Sequence, residues 1–478
     1  MGMLGWIAGP IAMIMFYLIS ILLLTDVYEV NGVEHGRYHH AVRNILGYWQ
    51  GIALAIFQSL NMVLTAIAYT ISAAESVKNI ARIACDWDNN TDCPIDKQWI
   101  AAIMFGGVQL VLSQVPSLEE AWGVSALGTI SSLLYSGIAL GLGIKYAGAH
   151  QGTIGGIPKS TAGKVFGVLS SLGAMAFAFS FAVVLLEVQD TLRQPPKASK
   201  TMKKASLTSI SGAFGFYFTV AIANYSAFGN DVPSFIFNAY SGPQWVVCLG
   251  YICVMLHMVS AFQVFAQPMF DTFESWVKAY TQRRRHDIEG AAVVTNPVAD
   301  PETKEDKAVV VDSPADLPGA KTVEKRTGSG AALARPSGRL QRMSSSAVQS
   351  INRLSASSAM YRVSTGFARE DVPTNADHVL IPFWQRLIVR SLYVVIVTVI
   401  ACIMPFFGDM AGLVGAITFF PLSVYFPIRC WSRIYKPRGA FNGLLWVITV
   451  VMGIVAVLAT IASFRQIITA WSSYKLFA

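Results

Sequence analysis

Long apolar runs are the feature that most constrains how this chain folds. An α-helix needs about 20 apolar residues to cross the hydrocarbon core of a bilayer. Only 13% of the 478 residues are charged, against roughly 25% in a soluble domain. We therefore predict an all-α polytopic membrane protein, with the lipid bilayer as a partner. Ten such runs are present, at residues 5–26, 50–82, 99–115, 121–145, 165–188, 205–228, 243–274, 382–405, 410–428 and 441–470.

The sequence lacks the motifs that are typical of soluble enzymes and of nucleic-acid-binding proteins. It has no Cys/His spacing of a zinc site, no glycine-rich phosphate loop and no nucleophile elbow. Its basic segments lack the interleaved aromatic residues of a nucleic-acid surface. We therefore expect no enzyme activity, no metal or organic cofactor, and no nucleic-acid partner.

Basic residues alternate along the loops between the apolar runs. Loops 190–204 and 429–438 are rich in Lys and Arg, and segment 275–381 has three consecutive arginines near its start, Arg283, Arg284 and Arg285. Loops 85–96 and 229–235 are poor in both. Because cytoplasmic loops carry the excess of Lys and Arg, the basic loops are predicted to lie inside and the C-terminus outside.

The acidic loop after the second run carries two signs of an extracellular location. Cys85 and Cys93 bracket it, and Asn89 stands in an Asn-Asn-Thr glycosylation sequence. A disulfide and a glycan both require the oxidising side of the membrane. We predict both, the alternative being two free thiols and an unused acceptor. With this loop outside, the first run passes inward from an extracellular N-terminus, so the chain is expected to be truncated at its N-terminus or an unusual variant.

Segment 281–378 differs in composition from the rest of the chain. It is rich in Ser, Arg, Pro, Asp and Glu and too poor in apolar residues to fold, so we predict a disordered cytoplasmic insert. It separates the first part of a membrane transport domain (1–280) from that domain's last three helices (379–478). Ser344 and Ser355 follow arginines in a pattern that basophilic kinases prefer. The alternative is a solvated tether without kinase partners.

Polar and small residues interrupt several apolar runs, and polar residues at membrane depth usually face a cavity or another helix. Small residues in 170–191 indicate either a helix broken at mid-membrane or tight helix packing. Asn61 and Tyr69 share one face of their helix, which either lines a pathway or bonds to neighbouring helices. His257 is either a proton relay or a structural hydrogen bonder. Stretch 405–427, with Gly412, Gly415, Pro421 and Pro427, predicts a hinge or a kinked packing face.

Several stretches, taken in order, resemble the plant amino acid permeases of the amino acid/auxin permease family, within the amino acid-polyamine-organocation superfamily. The similarity covers nearly all of the membrane part and leaves out the insert. The stretches are "LGWIAGP" (4–10), "AIAYTISAAES" (66–76), "LGAMAFAFSFAVVLLEVQDTLRQPP" (172–196), "KTMKKAS" (200–206), "HMVSAFQVFAQP" (257–268) and "GLVGAITFFPLSVYFP" (412–427).

The resemblance implies a LeuT-like inverted-repeat transporter fold, with ten of the expected eleven transmembrane helices present and the first family helix absent. It implies proton-coupled uptake of amino acids by alternating access, in the plasma membrane, with the proton as coupling ion. His257 and Glu187 become candidates for proton coupling or gating. The residues implied to contact substrate are Ala176, Phe177, Ala178, Phe179, Ser180, Asn61 and Tyr69.

Two departures from the family pattern bear on the substrate. Ala174 stands where many plant members carry Asp, and Phe179 and Phe181 stand where Tyr is common. The implied pocket is therefore more apolar, and neutral amino acids are the expected substrates. The alternatives are a non-transporting amino acid sensor or receptor, a truncated inactive transporter, and an auxin-type or sodium-coupled carrier.

Overall fold

The structure is a computed structural model of the chain. Two compact units are present, one holding residues 1–279 and 356–478 and the other holding residues 280–355. Asn89, Ser344 and Ser355 lie outside the described residues, so the predictions made for them remain predictions. The structure describes residues 2–19, 24–30, 33–87, 93, 95–114, 122–148, 152–180, 182–190, 192, 195–295, 382–404 and 406–473.

Within these residues the chain is almost entirely helical. Two short strands, β1 (Glu29–Val30) and β2 (Val33–Glu34), form an antiparallel pair. The α-helices are α1 (Gly5–Ile19), α2 (Tyr38–Leu46), α3 (Tyr48–Trp87), α4 (Gln98–Leu112), α5 (Trp122–Tyr146), α6 (Thr161–Ala178), α7 (Leu185–Asp190), α8 (Ala198–Phe228), α9 (Gln244–Thr295), α10 (Phe383–Ile403), α11 (Phe407–Phe419), α12 (Phe426–Tyr435) and α13 (Ala440–Ser473).

Eight helical segments in the described part of the chain are long and apolar enough to cross a membrane. They are α3, α5, α6, α8, α9, α10, the continuous α11–α12 segment and α13. Shorter apolar helices, α1 and α4, occupy the other two predicted runs. The predicted all-α, membrane-spanning class therefore agrees with the helices observed.

Local sequence sets several of the helix ends. The hydroxyl of Ser160 accepts a hydrogen bond from the backbone N–H of Gly163 (3.3 Å) and caps the start of α6. Gly47 separates α2 from α3 with a φ of 106°, in the left-handed region that favours glycine. These caps fix where the membrane helices begin and how the chain turns between them.

Helices α6 and α11 approach each other closely where they cross, at glycine residues on both helices. A Cβ atom on Gly173 would overlap the carbonyl oxygen of Gly412, and one on Gly415 would overlap the carbonyl oxygen of Gly173. The hydroxyls of Ser170 and Ser463 lie 3.4 Å apart beside this crossing and connect α6 to α13. The small residues of α6 therefore serve close helix packing in this region, which is one of the two alternatives that the sequence left open.

Helix α11 continues into α12 through a π-helical turn, Phe420–Tyr425. The wider turn contains Pro421, whose missing N–H is compatible with a local change in helix geometry. The hydroxyl of Tyr38 on α2 donates to the carbonyl oxygen of Leu422 (2.8 Å), a group in this turn. Burial of the neighbouring His39 lowers its pKa to about 3, so α2 packs with an uncharged imidazole.

Helix α9 extends to Thr295, beyond the predicted end of its membrane run at 274 and into the segment predicted to be disordered. Adding residues to an existing helix avoids the cost of nucleating a new one. Residues 283–290 also include Arg and Glu, which are good helix formers. Residues 296–381 lie outside the described part of the chain.

A buried ion pair joins α4, α9 and α10. Arg390 on α10 is only 1% exposed, and its Nε donates to Oε1 of Glu274 on α9 (2.7 Å). Its Nη1 donates to the carbonyl oxygen of Ser113, directly after α4 (2.9 Å). The guanidinium also lies over the ring of Phe270, 5.3 Å from the centroid. This arrangement satisfies a charge that is costly to bury alone.

The structure joins Cys85 at the end of α3 to Cys93 in a disulfide, with a Cα–Cα distance of 5.9 Å. The predicted bond is therefore present, and its Cα–Cα distance lies in the usual range for disulfides. It marks one end of the α3 helix, which is called the disulfide side below.

Candidate functional site

The apolar run that contains five of the seven predicted substrate residues is broken. Helix α6 ends at Ala178, and the chain continues through a 3₁₀ turn at Ala182–Val184 into α7. At the break the N–H of Phe179 donates to the carbonyl of Ala176 (3.2 Å), and the N–H of Ser180 donates to that of Phe177 (3.2 Å). These i, i+3 bonds end the α-helical pattern, so the backbone changes course at the position predicted for the break.

Side chains around the break complete part of this turn. The hydroxyl of Ser180 donates to the carbonyl oxygen of Ala176 (2.9 Å). Phe179 and Ala176 are buried, and they pack in one apolar cluster with Phe16 of α1 and Phe419 of α11. Ala178 is exposed, so the break presents one buried and one open side.

The polar face of α3 meets the break. Gln58, which is buried, donates from Nε2 to the carbonyl oxygen of Val183 (3.1 Å). That carbonyl lies in the 3₁₀ turn and is therefore fixed by a side chain from another helix. Thr65, two turns further along α3, is fully buried, and its hydroxyl has no hydrogen-bond partner in the part of the chain that the structure describes. Such a group is available for a ligand or a water molecule.

Asn61 connects the same face of α3 to α11. Its Nδ2 donates to the hydroxyl oxygen of Thr418 (2.8 Å), and that hydroxyl donates to the carbonyl of Val414 (2.7 Å). The bond supports the interpretation that α3's polar residues hold neighbouring helices together. Because Gln58 and Asn61 are one turn apart, α3 anchors both the break and the glycine crossing of α11.

An apolar cavity lies next to the break, between α1, α6, α11 and α13. Gly173 and Ala176 line it from α6, and Gly415 and Phe419 line it from α11. It offers only about 20 Å³ of space to the centre of a water-sized sphere, room for about one water. This particular cavity is therefore too small for an amino acid in the conformation described.

The remaining predicted residues contact other helices. The ring of Tyr69 packs edge-on against Phe265 of α9, with centroids 5.6 Å apart. Nδ1 of His257 lies 2.9 Å from the carbonyl oxygen of Gly128 on α5, and the ring lies 5.6 Å from that of Tyr135. The described contacts of Asn61, Tyr69 and His257 are thus with α11, α9 and α5 respectively.

Helix α7 continues from the break and contains Glu187, whose side chain lies outside the described residues. The helix is held by the buried Gln189, whose Nε2 donates to the carbonyl of Thr25 (3.1 Å). The prediction that Glu187 takes part in proton coupling or gating therefore stays a prediction.

Two residues near the break were not predicted from the sequence. Thr418 carries the bond to Asn61, and Tyr217 of α8 packs edge-on against Phe179 with centroids 5.8 Å apart. Thr418 is a hydroxyl residue in a mostly apolar helix, so the sequence did carry a signal for it. The ring of Tyr217 is unremarkable in sequence, since aromatic residues are frequent throughout the span.

Comparison with known proteins decides the family. The sequence profile of the family described as "transmembrane amino acid transporter protein" matches residues 1–468. The chain belongs to this family. The predicted resemblance is therefore confirmed, and so is the expectation of an integral membrane protein that is not an enzyme.

Relatives of this transmembrane amino acid transporter family are similar along most of their length. Amino acid permease 2 of Arabidopsis thaliana is 30% identical, over 99% of this chain and 84% of the relative. Amino acid permease 4 of the same organism is 31% identical, over 90% of this chain and 79% of the relative. Lysine histidine transporter-like 1, also from Arabidopsis thaliana, is 24% identical over 100% of this chain and 85% of the relative.

Proposed function

We propose that this chain is a proton-coupled symporter that imports neutral amino acids across the plasma membrane by alternating access. The α6–α7 break carries the proposal, because a broken helix inside a transport domain brings backbone polar groups to the middle of a span. The names of the amino acid permease relatives support an amino acid as the substrate. The proposed architecture is a LeuT-like pair of inverted repeats with ten spans in this chain, a cytoplasmic insert and an extracellular C-terminus.

The break supplies suitable groups for an amino acid. Backbone N–H groups of the 3₁₀ turn at Ala182–Val184 suit the substrate carboxylate, and carbonyl oxygens at the end of α6 suit the ammonium group. The rings of Phe177 and Phe179 would contact the substrate side chain. Ala174 adds no charge to this region, which favours neutral over cationic amino acids.

Of the two candidates for carrying the proton, His257 is the one whose side-chain contacts the structure describes. A carbonyl oxygen can only accept, so the bond to Gly128 requires that Nδ1 of His257 carries the hydrogen. The neutral imidazole then keeps its lone pair on Nε2, which is free to take up a proton. Glu187 is the second candidate, because it lies in α7 directly beyond the break.

The proposal is tested by electrical recording from cells that express the protein. A neutral amino acid applied at acidic external pH is expected to evoke an inward current, with uptake of the labelled amino acid and a smaller current at neutral pH. The current should persist when external sodium is replaced by choline. Loss of the current without sodium would favour a sodium-coupled carrier, and binding of the labelled amino acid without current or uptake would favour a receptor.

Gln58→Leu is expected to lower uptake by about tenfold at low substrate concentration. The substitution leaves the buried Val183 carbonyl without its donor, at a cost of about 1–3 kcal/mol, and 1.4 kcal/mol corresponds to a factor of ten. The break should then occupy its binding geometry less often. Uptake of labelled amino acid, normalised to the amount of protein at the cell surface, measures the effect.

Gln466→Leu is the matched control for this change. Nε2 of Gln466 donates to the carbonyl oxygen of Phe166 at the other end of α6 (3.2 Å). The same bond type is lost there, away from the break, so uptake should stay close to that of the unmodified protein. Equal losses of uptake in the two variants would show that Gln58 has no special role at the break.

A further inference from the structure

The segment between α8 and α9, residues 229–243, is tied to α3 by a polar cluster. Nδ2 of Asn238 donates to Oε1 of Glu75 (3.0 Å), and Nδ2 of Asn79 donates to Oδ1 of Asn238 (3.1 Å). The hydroxyl of Tyr251 on α9 donates to the same Oδ1 (2.7 Å). The amide nitrogen and the amide oxygen of Asn238 therefore both form hydrogen bonds, and these bonds join the segment to α3 and α9.

Glu75 is held in place from its own helix. Lys78 donates to its Oε2 at 2.8 Å, and the two side chains are only 15% and 18% exposed. Asn79 donates both to the backbone oxygen of Glu75 (2.9 Å) and to its Oε1 (3.3 Å). Contacts within its own helix thus help to orient the Glu75 carboxylate towards Asn238.

Aromatic residues anchor the segment to α5 and α8 and add a further contact with α9. The hydroxyl of Tyr240 lies within hydrogen-bonding distance of two acceptors, the carbonyl oxygen of Ala139 on α5 (3.0 Å) and Oδ1 of Asn224 on α8 (2.5 Å). Phe237 is buried and packs where a Cβ atom on Gly250 of α9 would otherwise lie. The segment therefore bridges α3 and α9 on one flank and α5 and α8 on the other.

The cluster lies near the disulfide side of α3. Trp87, the last residue of α3, donates from Nε1 to Oε1 of Gln244 at the start of α9 (2.9 Å). Arg82, between Glu75 and the disulfide, hydrogen-bonds Asp96 and lowers the pKa of that carboxyl. Several of the contacts that hold this end of the helices are therefore polar and open to water.

We propose that Glu75 and Asn238 latch residues 229–243 to α3 on the disulfide side, so that opening a gate there requires this contact to break. Hydrogen bonds near water exchange for bonds to water at little net cost, so such a latch can open and close repeatedly. A segment that bridges two groups of helices must lose contacts on one flank when those groups separate. The inference rests on the proposed alternating-access transport.

Locking the latch is the first test. The double variant Asn79→Cys/Asn238→Cys places two thiols where two side chains now touch, and a short bis-methanethiosulfonate reagent bridges such a pair. Bridging is expected to abolish uptake of the labelled amino acid, and a reductant should restore it. The unmodified protein and the two single variants receive the same treatment as controls, because the chain also contains free cysteines at 248, 253, 402 and 430.

Opening the latch is the second test, and it needs no transport. Asn238→Asp removes the amide donor and places a carboxylate opposite Glu75. In an Ile236→Cys background it should raise the rate of labelling by a membrane-impermeant thiol reagent by about fivefold, equivalent to about 1 kcal/mol. Asn230→Asp is the control in the same segment, since its oxygen still accepts from Tyr225 and labelling should stay unchanged.

The outcomes separate the latch from the proposed function. If the unmodified protein imports amino acids and the bridged variant imports them at the same rate, the gate is overturned and the transport function stands. Equal labelling of the Asn238→Asp and Asn230→Asp variants also overturns the latch. If the unmodified protein shows no uptake, the proposed function fails, and the labelling rates still decide whether Asn238 holds this segment closed.

Discussion

Arg390→Met is expected to destabilise the protein by about 3–5 kcal/mol, because it leaves the Glu274 carboxylate, whose side chain is only 13% exposed, without its partner. The whole free energy of unfolding of a typical protein is only about 5–15 kcal/mol. The substitution also removes the donor to the Ser113 carbonyl, which ends α4. Most of the protein should therefore fail to elute as a single folded species. Size-exclusion chromatography of a fluorescently tagged protein after a heating series measures this loss.

Arg390→Met/Glu274→Met is the matched control for that prediction. Replacing both charges with apolar side chains of similar length removes the unpaired charge, and such replacements are often neutral or stabilising. The double variant should recover most of the thermal stability that the single variant loses. A single variant as stable as the unmodified protein, or a double variant as unstable as the single one, would contradict the role assigned to the pair.

Local patterns predicted the features of this molecule that depend on neighbouring residues. The apolar runs predicted where the helices lie, because a helix needs a minimum apolar length to cross a bilayer. That length is visible directly in the sequence. The cysteines at 85 and 93 are eight residues apart, so their disulfide closes a short loop between positions that are already neighbours. The break after Ala178 follows a concentration of small residues.

Pairings between distant segments could not be predicted in this way. Asn61 and Thr418 are 357 residues apart, and Arg390 lies 116 residues from Glu274. Each of these polar residues has several chemically reasonable partners, and only the three-dimensional packing selects one. The sequence therefore left open whether Asn61 lines a pathway or bonds a neighbouring helix, and its bond to Thr418 supports the second alternative.

The glycine crossing of α6 and α11 leads to the second large effect. Gly415→Val is expected to destabilise the protein by about 3 kcal/mol or more, because the new side chain would meet the backbone of α6 at Gly173 and Phe177. Backbone atoms cannot move aside as the end of a flexible side chain can, so the two helices must separate. Because the crossing lies next to the break, uptake by any protein that still folds should also fall. The melting temperature in detergent and the normalised uptake measure the two effects.

Gly443→Val in α13 is the control for the crossing. A Cβ atom at Gly443 meets nothing within 4 Å, so the added methyl groups have open space there. Valine also has a higher intrinsic helix propensity than glycine, which offsets part of any other cost. Stability and uptake should therefore remain near those of the unmodified protein. Similar melting temperatures for the Gly415→Val and Gly443→Val variants would mean that α6 and α11 can tolerate a side chain between them, and the close crossing would then not explain why glycine stands at 415.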